Sequence, residues 1–99
     1  MNLNQNTLVF KLSKDNNIAD LQIKSEVKNF IADLKDVNIV VINKIKDKFI
    51  TFDKNIKKSG GSFVIVSKFV FDEQLVIVPT LQEAYDYIEM EEIERQLKL

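Results

Sequence analysis

The side chains of this chain that could do chemistry are carboxylates, lysines and a glycine pair. Glu91 with Glu92, and Asp15 with Asp20, are carboxylate pairs of the kind that can share acid–base work or hold a divalent ion. Nothing beyond their presence supports that use, and carboxylates on a helix face are ordinarily solvated. The chain contains no histidine and no cysteine. That removes the commonest general base near neutral pH, the commonest metal ligand, every thiolate zinc site and any disulfide framework. Gly60-Gly61 could cradle a phosphate, but the pair precedes an apolar strand-like run where a phosphate loop needs a helix N-terminus. A helix C-cap explains the pair better. The expectation is therefore a protein that is not an enzyme, with no cofactor and no metal.

The charges are unevenly placed. Lys44, Lys46, Lys48, Lys54, Lys57 and Lys58 face only Asp47 and Asp53 over residues 44–58. From Thr80 onward the balance reverses, with Glu83, Asp86, Glu89, Glu91, Glu92 and Glu94 against Arg95 and Lys98. The whole chain carries a net charge of −1, without the basic excess that a nucleic-acid binder normally shows. Ninety-nine residues, 45% hydrophobic and 29% charged, describe one globular domain over 1–99, its polar residues 1–6 expected to fray. The first residues lack a basic leader followed by an apolar core, and no apolar run reaches the roughly 18 residues of a membrane span. The expected location is the cytoplasm, with no membrane contact.

Periodicity supplies the elements. Thr7 to Leu12 alternates Leu8, Phe10 and Leu12 against Thr7, Val9 and Lys11, which predicts an edge or near-edge strand. Ser13 to Asn17 is a turn cluster. Ile23, Val27, Phe30, Ile31 and Leu34 form one helical stripe, predicting a helix over about Ile18 to Lys35. Val37 to Ile42, polar only at Asn38, predicts a buried strand. Ile45, Phe49, Phe52 and Ile56 predict a second helix over residues 46–58, closed by Gly60-Gly61, and Ser62 to Val66 a third strand. Leu75 to Val78 is a fourth apolar run that stops at Pro79, where the ladder loses a donor. Thr80 with Glu83 is a capping box that starts a last helix burying Leu81, Ala84, Tyr85 and Ile88, with Ile93 and Leu97 continuing its apolar side. The connector from Lys68 to Gln74 is shorter than the usual parallel crossover, so it is either an irregular parallel return or a hairpin at Asp72-Glu73. The parallel return is preferred because both flanking runs look covered on two faces. The fold class is α/β: a four-stranded, mostly parallel sheet with helices on its faces.

That order, with Gly60-Gly61 before the third strand and Pro79-Thr80-Leu81, Glu83 and Ala84 opening the last helix, resembles the STAS domain, the fold of bacterial anti-sigma factor antagonists. In this resemblance Leu8 to Ser13 is similar to the family's first strand, Val37 to Asn43 to its central strand, and Pro79 to Ile88 to its closing helix. The acidic ending Glu89 to Leu97 is similar to small STAS-like proteins of Bacteroidetes that often carry the name ribonuclease Z. That enzyme holds zinc with histidines, and a chain without histidine does not fit the name. The resemblance implies regulation by protein contacts and, in the antagonists, phosphorylation of a hydroxyl at the start of the second helix. The corresponding segment here, Asn43 to Lys48, has no Ser or Thr, and Thr51 lies within the predicted helix. The usual phosphoswitch is not expected.

The expected function is a non-enzymatic regulatory or adaptor module that acts by protein–protein interaction. The alternative is an accessory protein of an RNA-processing nuclease of the ribonuclease Z kind. Candidate partner-binding residues are Asn43, Lys44, Lys46, Asp47 and Lys48, expected in a loop and helix start, and Glu89, Glu91, Glu92, Ile93, Arg95 and Leu97 on the acidic helix. The opposite charges of the two helices would also permit weak head-to-tail self-association.

Overall fold

The computed structural model describes residues 7–11 and 27–97. The strands are β1 (Thr7–Phe10), β2 (Asn29–Asp33), β3 (Phe63–Val66) and β4 (Ile77–Val78); the helices are α1 (Ile39–Lys58) and α2 (Leu81–Leu97). The sheet is four-stranded, in the order β1-β2-β3-β4, and every neighbouring pair is parallel. This is the α/β class that the sequence predicts, including the parallel return between β3 and β4. The expectations for residues 1–6, the turn at 13–17 and residues 18–26 of the first predicted helix lie outside the described residues.

Two predictions are corrected. Asn29 to Asp33, placed in the tail of a helix, is the strand β2, and Val37 to Ile42, read as a central strand, leads into α1. In β2 Asn29, Phe30, Ile31 and Ala32 are all buried, so alternation gives no polar face to mark the strand. Phe30 and Ala32 join the core under α1, whereas Ile31 joins the core under α2. α1 begins at a side-chain cap: Asn38 Oδ1 accepts the Val40 N–H at 2.7 Å. Its first turn, Ile39-Val40-Val41-Ile42, runs against propensity, costing about 2 kcal/mol over the four β-branched residues relative to Ala. The cap returns about 1 kcal/mol. Burying Ile42, Ile45, Phe49 and Ile56 on the sheet at about 2 kcal/mol each outweighs the remainder.

The α1 face of the sheet is built on aromatic rings. Phe10, Phe30, Phe49, Phe52, Phe63 and Phe71 form a chain of contacts with centroids 5.1–6.5 Å apart. The chain has seven phenylalanines, and the one left out, Phe69, is exposed. On the opposite face Val64, Val66 and Ile31 pack against Ala84 and Ile88 of α2. α2 begins at the predicted place, with the hydroxyl half of the capping box formed: Thr80 Oγ1 accepts the Glu83 N–H at 3.2 Å.

α1 ends in a Schellman arrangement, Gly61 N–H to Ile56 C=O at 3.0 Å and Gly60 N–H to Lys57 C=O at 3.1 Å. Gly60 takes φ +83°, whereas Gly61 is needed for space, since a Cβ there would lie 1.8 Å from the Lys28 carbonyl oxygen. That oxygen belongs to the chain entering β2, so the two glycines let α1 end against it. Gly60→Ala should cost about 1 kcal/mol of unfolding free energy for left-handed strain. Gly61→Ala should cost about 3 kcal/mol because backbone must shift. Urea unfolding of both variants checks the order.

Candidate functional site

The carboxyl ends of parallel strands are where an α/β sheet usually offers a binding crevice, and here the loops after β2 and β3 form one. The β2–α1 loop is set locally. Asp33 Oδ1 accepts the Lys35 N–H at 3.2 Å, Val37 N–H closes a turn onto Leu34 C=O at 3.0 Å, and Leu34 plugs into the core. Across from it the β3–β4 connector is tied at both ends. The buried Ser67 hydroxyl accepts the Phe69 N–H at 3.1 Å, and Asp72 Oδ1 accepts the Gln74 N–H at 2.8 Å. Lys46 of α1 reaches Asp72 at 3.8 Å, and Phe71 packs on Phe49.

Between the loops lies an open cleft of about 400 Å³, lined by Lys35, Asp36, Val37, Asn38 and Ile39 on one side and by Lys68 and Phe69 on the other. Phe69 of that lining is exposed, and so are the residue after it, Val70, at 78%, and Val40, the residue after Ile39. An apolar cluster this exposed is stable only in contact with something else or at a local cost in solvation. Sequence reasoning missed it. The signal was present in Phe69-Val70, which no strand or helix stripe absorbs, and in Asn38, which was read inside a strand instead of as a cap.

The sequence-predicted residues divide. Asn43 to Lys48 are not a loop and helix start but the second and third turns of α1, which corrects the expectation. Asn43, Lys44, Asp47 and Lys48 are exposed there, and Lys46 is half-buried against Asp72. Thr51 donates its hydroxyl to Asp47 C=O at 3.1 Å, and the loop that does precede α1, Asp33 to Asn38, also lacks a hydroxyl residue. Asp53, counted as an interruption of the basic face, is buried, with Oδ2 2.9 Å from Lys57 Nζ. Asp53 therefore does not stand on the outer face, although its charge still offsets that of Lys57.

The acidic helix divides too. Glu89, Ile93 and Leu97 are exposed on its outer side, so Ile93 and Leu97 do not continue the buried stripe. Leu81 is exposed at its start. Glu91 is half-buried near Tyr87, whose hydroxyl is held above the ordinary phenol value by burial and by the Glu91 charge. Glu92 and Arg95 turn inward to the amino ends of β2 and β3. Asn29 Oδ1 accepts the Ser62 N–H at 3.0 Å, Asn29 Nδ2 donates to Glu92 Oε1 at 3.0 Å, and Arg95 donates to Ser62 Oγ at 3.0 Å and to Glu92. This group is a clamp holding α2 to the sheet, with its members satisfied by one another. Burial alone would raise the Glu92 carboxyl, but the hydrogen bonds from Asn29 and Arg95 and the Arg95 charge together hold it below its ordinary value.

Among the described residues no group of three or more acidic side chains is placed to hold a metal ion, and no helix is long and apolar enough to cross a membrane. No family model, curated protein or solved structure matches the chain.

Two outcomes follow for the clamp. Asn29→Ala leaves the buried Ser62 N–H and part of Glu92 without partners and should cost about 2–3 kcal/mol in chemical denaturation. Because the folded state lowers the Glu92 pKa, its contribution is full above about pH 4.5 and is lost as pH falls through the lower folded-state value. Glu92→Gln should therefore be less stable than the native chain at neutral pH, and the gap should close on acidification. A gap that is constant across that range would show that the carboxylate charge is not what the clamp uses.

Proposed function

We propose that this chain is a STAS-like regulatory or adaptor module, not an enzyme, and that it works by holding a protein partner at the carboxyl edge of its sheet. The observation that carries the reading is that Phe69, which lines the cleft beside the α1 N-terminus, is exposed together with the next residue, Val70, and with Val40, the residue after Ile39 of the same lining. Six phenylalanines are committed to the core, and the seventh is presented to solvent on a connector anchored at both ends. A rigid, half-exposed aromatic beside aliphatic neighbours has the character of an interface anchor. Lys35 and Lys68 line the same cleft, with Lys44 one turn along α1, so the preferred partner surface is apolar with an acidic border. Gly60-Gly61 before β3 and the Pro79-Thr80 helix start support the family reading, with β2 taking the central-strand place first given to Val37 to Asn43. The missing hydroxyl before α1 makes control by phosphorylation at that helix start foreign to this chain.

The test is comparative capture from native lysate, with bound proteins identified by mass spectrometry. Val70→Asp changes a highly exposed residue and should leave the thermal unfolding midpoint within about 2 °C of the native value. It should lower recovery of a specific partner at least about tenfold, the equivalent of losing about 1.4 kcal/mol. A partner held equally by both proteins, or no specific partner for either, would overturn the reading.

A further inference from the structure

α2 is apolar on two opposite sides. Ala84 and Ile88 face the sheet, while Met90, Ile93 and Leu97 form an outward stripe at helical spacing, with Leu97 80% exposed. Asp86, Glu89 and Glu94 border that stripe. The one cation of α2, Arg95, is turned inward onto Glu92 and Ser62, so no basic side chain within α2 offsets the acids on its outer side. The cleft side offers the complementary pattern: exposed Phe69 and Val70 on the connector and Val40 in the first turn of α1, with Lys35 and Lys68 in the cleft lining and Lys44 one turn along α1, against Asp36 in the lining and Glu73 on the connector.

The two surfaces cannot meet within one molecule. α2 starts at the carboxyl edge and runs back to the amino ends of β2 and β3, where Glu92 and Arg95 clamp it. Its apolar stripe lies toward that end, at the opposite edge of the sheet from the cleft. We infer that the outward stripe of α2 docks on the Val40–Phe69–Val70 rim of a second copy of this chain. The contact is heterologous, joining two different surfaces, so it propagates head to tail and leaves one free rim and one free stripe at the ends of each assembly. It goes beyond the adaptor reading because it needs no other protein, and it competes with any partner for the rim.

Sedimentation velocity on the purified chain tests this without reference to any partner. The native chain should show a weight-average mass that rises with concentration past the dimer, and that falls back when salt is raised from about 20 mM to about 500 mM. Val70→Asp removes the rim and Leu97→Lys removes the stripe, both at exposed positions, and circular dichroism verifies that each remains folded. Each variant alone should stay monomeric. An equimolar mixture should recover a 1:1 species, since the first keeps an intact stripe and the second an intact rim. A native chain that stays monomeric, a variant that associates as the native chain does, or a mixture that fails to associate would each overturn the inference.

Discussion

The structure depends on the pairing of β2 with β3. Both strands are buried on two faces, and a slip of β2 by one residue would exchange Phe30 and Ala32 with Ile31, sending an aromatic ring to the side already filled by Val64, Val66, Ala84 and Ile88. Near the strand starts the register is held by groups other than the ladder itself. Asn29 extends its side chain to the Ser62 N–H, and Gly61 allows the end of α1 to rest on the Lys28 carbonyl. With those contacts made, the helix on each face has one place to pack.

The two edges of the sheet then acquire different characters. At the amino edge polar groups are buried and satisfied: Asn29, Ser62, Glu92 and Arg95 bond one another, so little there is available to a ligand. At the carboxyl edge the loops keep their backbone hydrogen bonds but leave apolar side chains in solvent. Burying a polar group without a partner costs more than exposing an apolar one, so the polar groups of the amino edge close on one another while the carboxyl edge leaves apolar side chains in water. The short β3–β4 connector makes this possible. It returns in parallel without a helix, braced by Phe71, Leu75 and Asp72, and its tip stays exposed.

Much of this architecture was legible because local signals agreed with it. Pro79 and Thr80 end β4 and start α2, Gly60-Gly61 end α1, and the apolar run before Ser67 is a strand. The errors sit together in residues 27–42, where a strand was taken for helix and a helix start for strand. Val27, Phe30, Ile31 and Leu34 satisfy a helical stripe by spacing, because a strand covered on both faces has no alternation to contradict it. Ile39 to Ile42 are β-branched, and only contact with the sheet makes them helical. The candidate site fell in the shadow of that error, since the loop that lines the cleft was divided between the end of the misplaced helix at Lys35 and the start of the misplaced strand at Val37.

By itself the sequence determined the class of fold, the absence of histidine and cysteine chemistry, the polarity of its two charged helices and the stops between most elements. Those properties rest on composition and on local stop and start signals that agree with the packing. The tertiary structure decided which charges face outward. Asp53 is buried on the core side of α1, one oxygen paired with Lys57 and the other without a hydrogen-bond partner, whereas Arg95 and Glu92 are drawn onto Asn29 and Ser62, where each finds partners that offset its loss of water. It also decided that Phe69, alone of the phenylalanines, stays in solvent, since the anchored connector leaves its ring no route to the core that the other six fill.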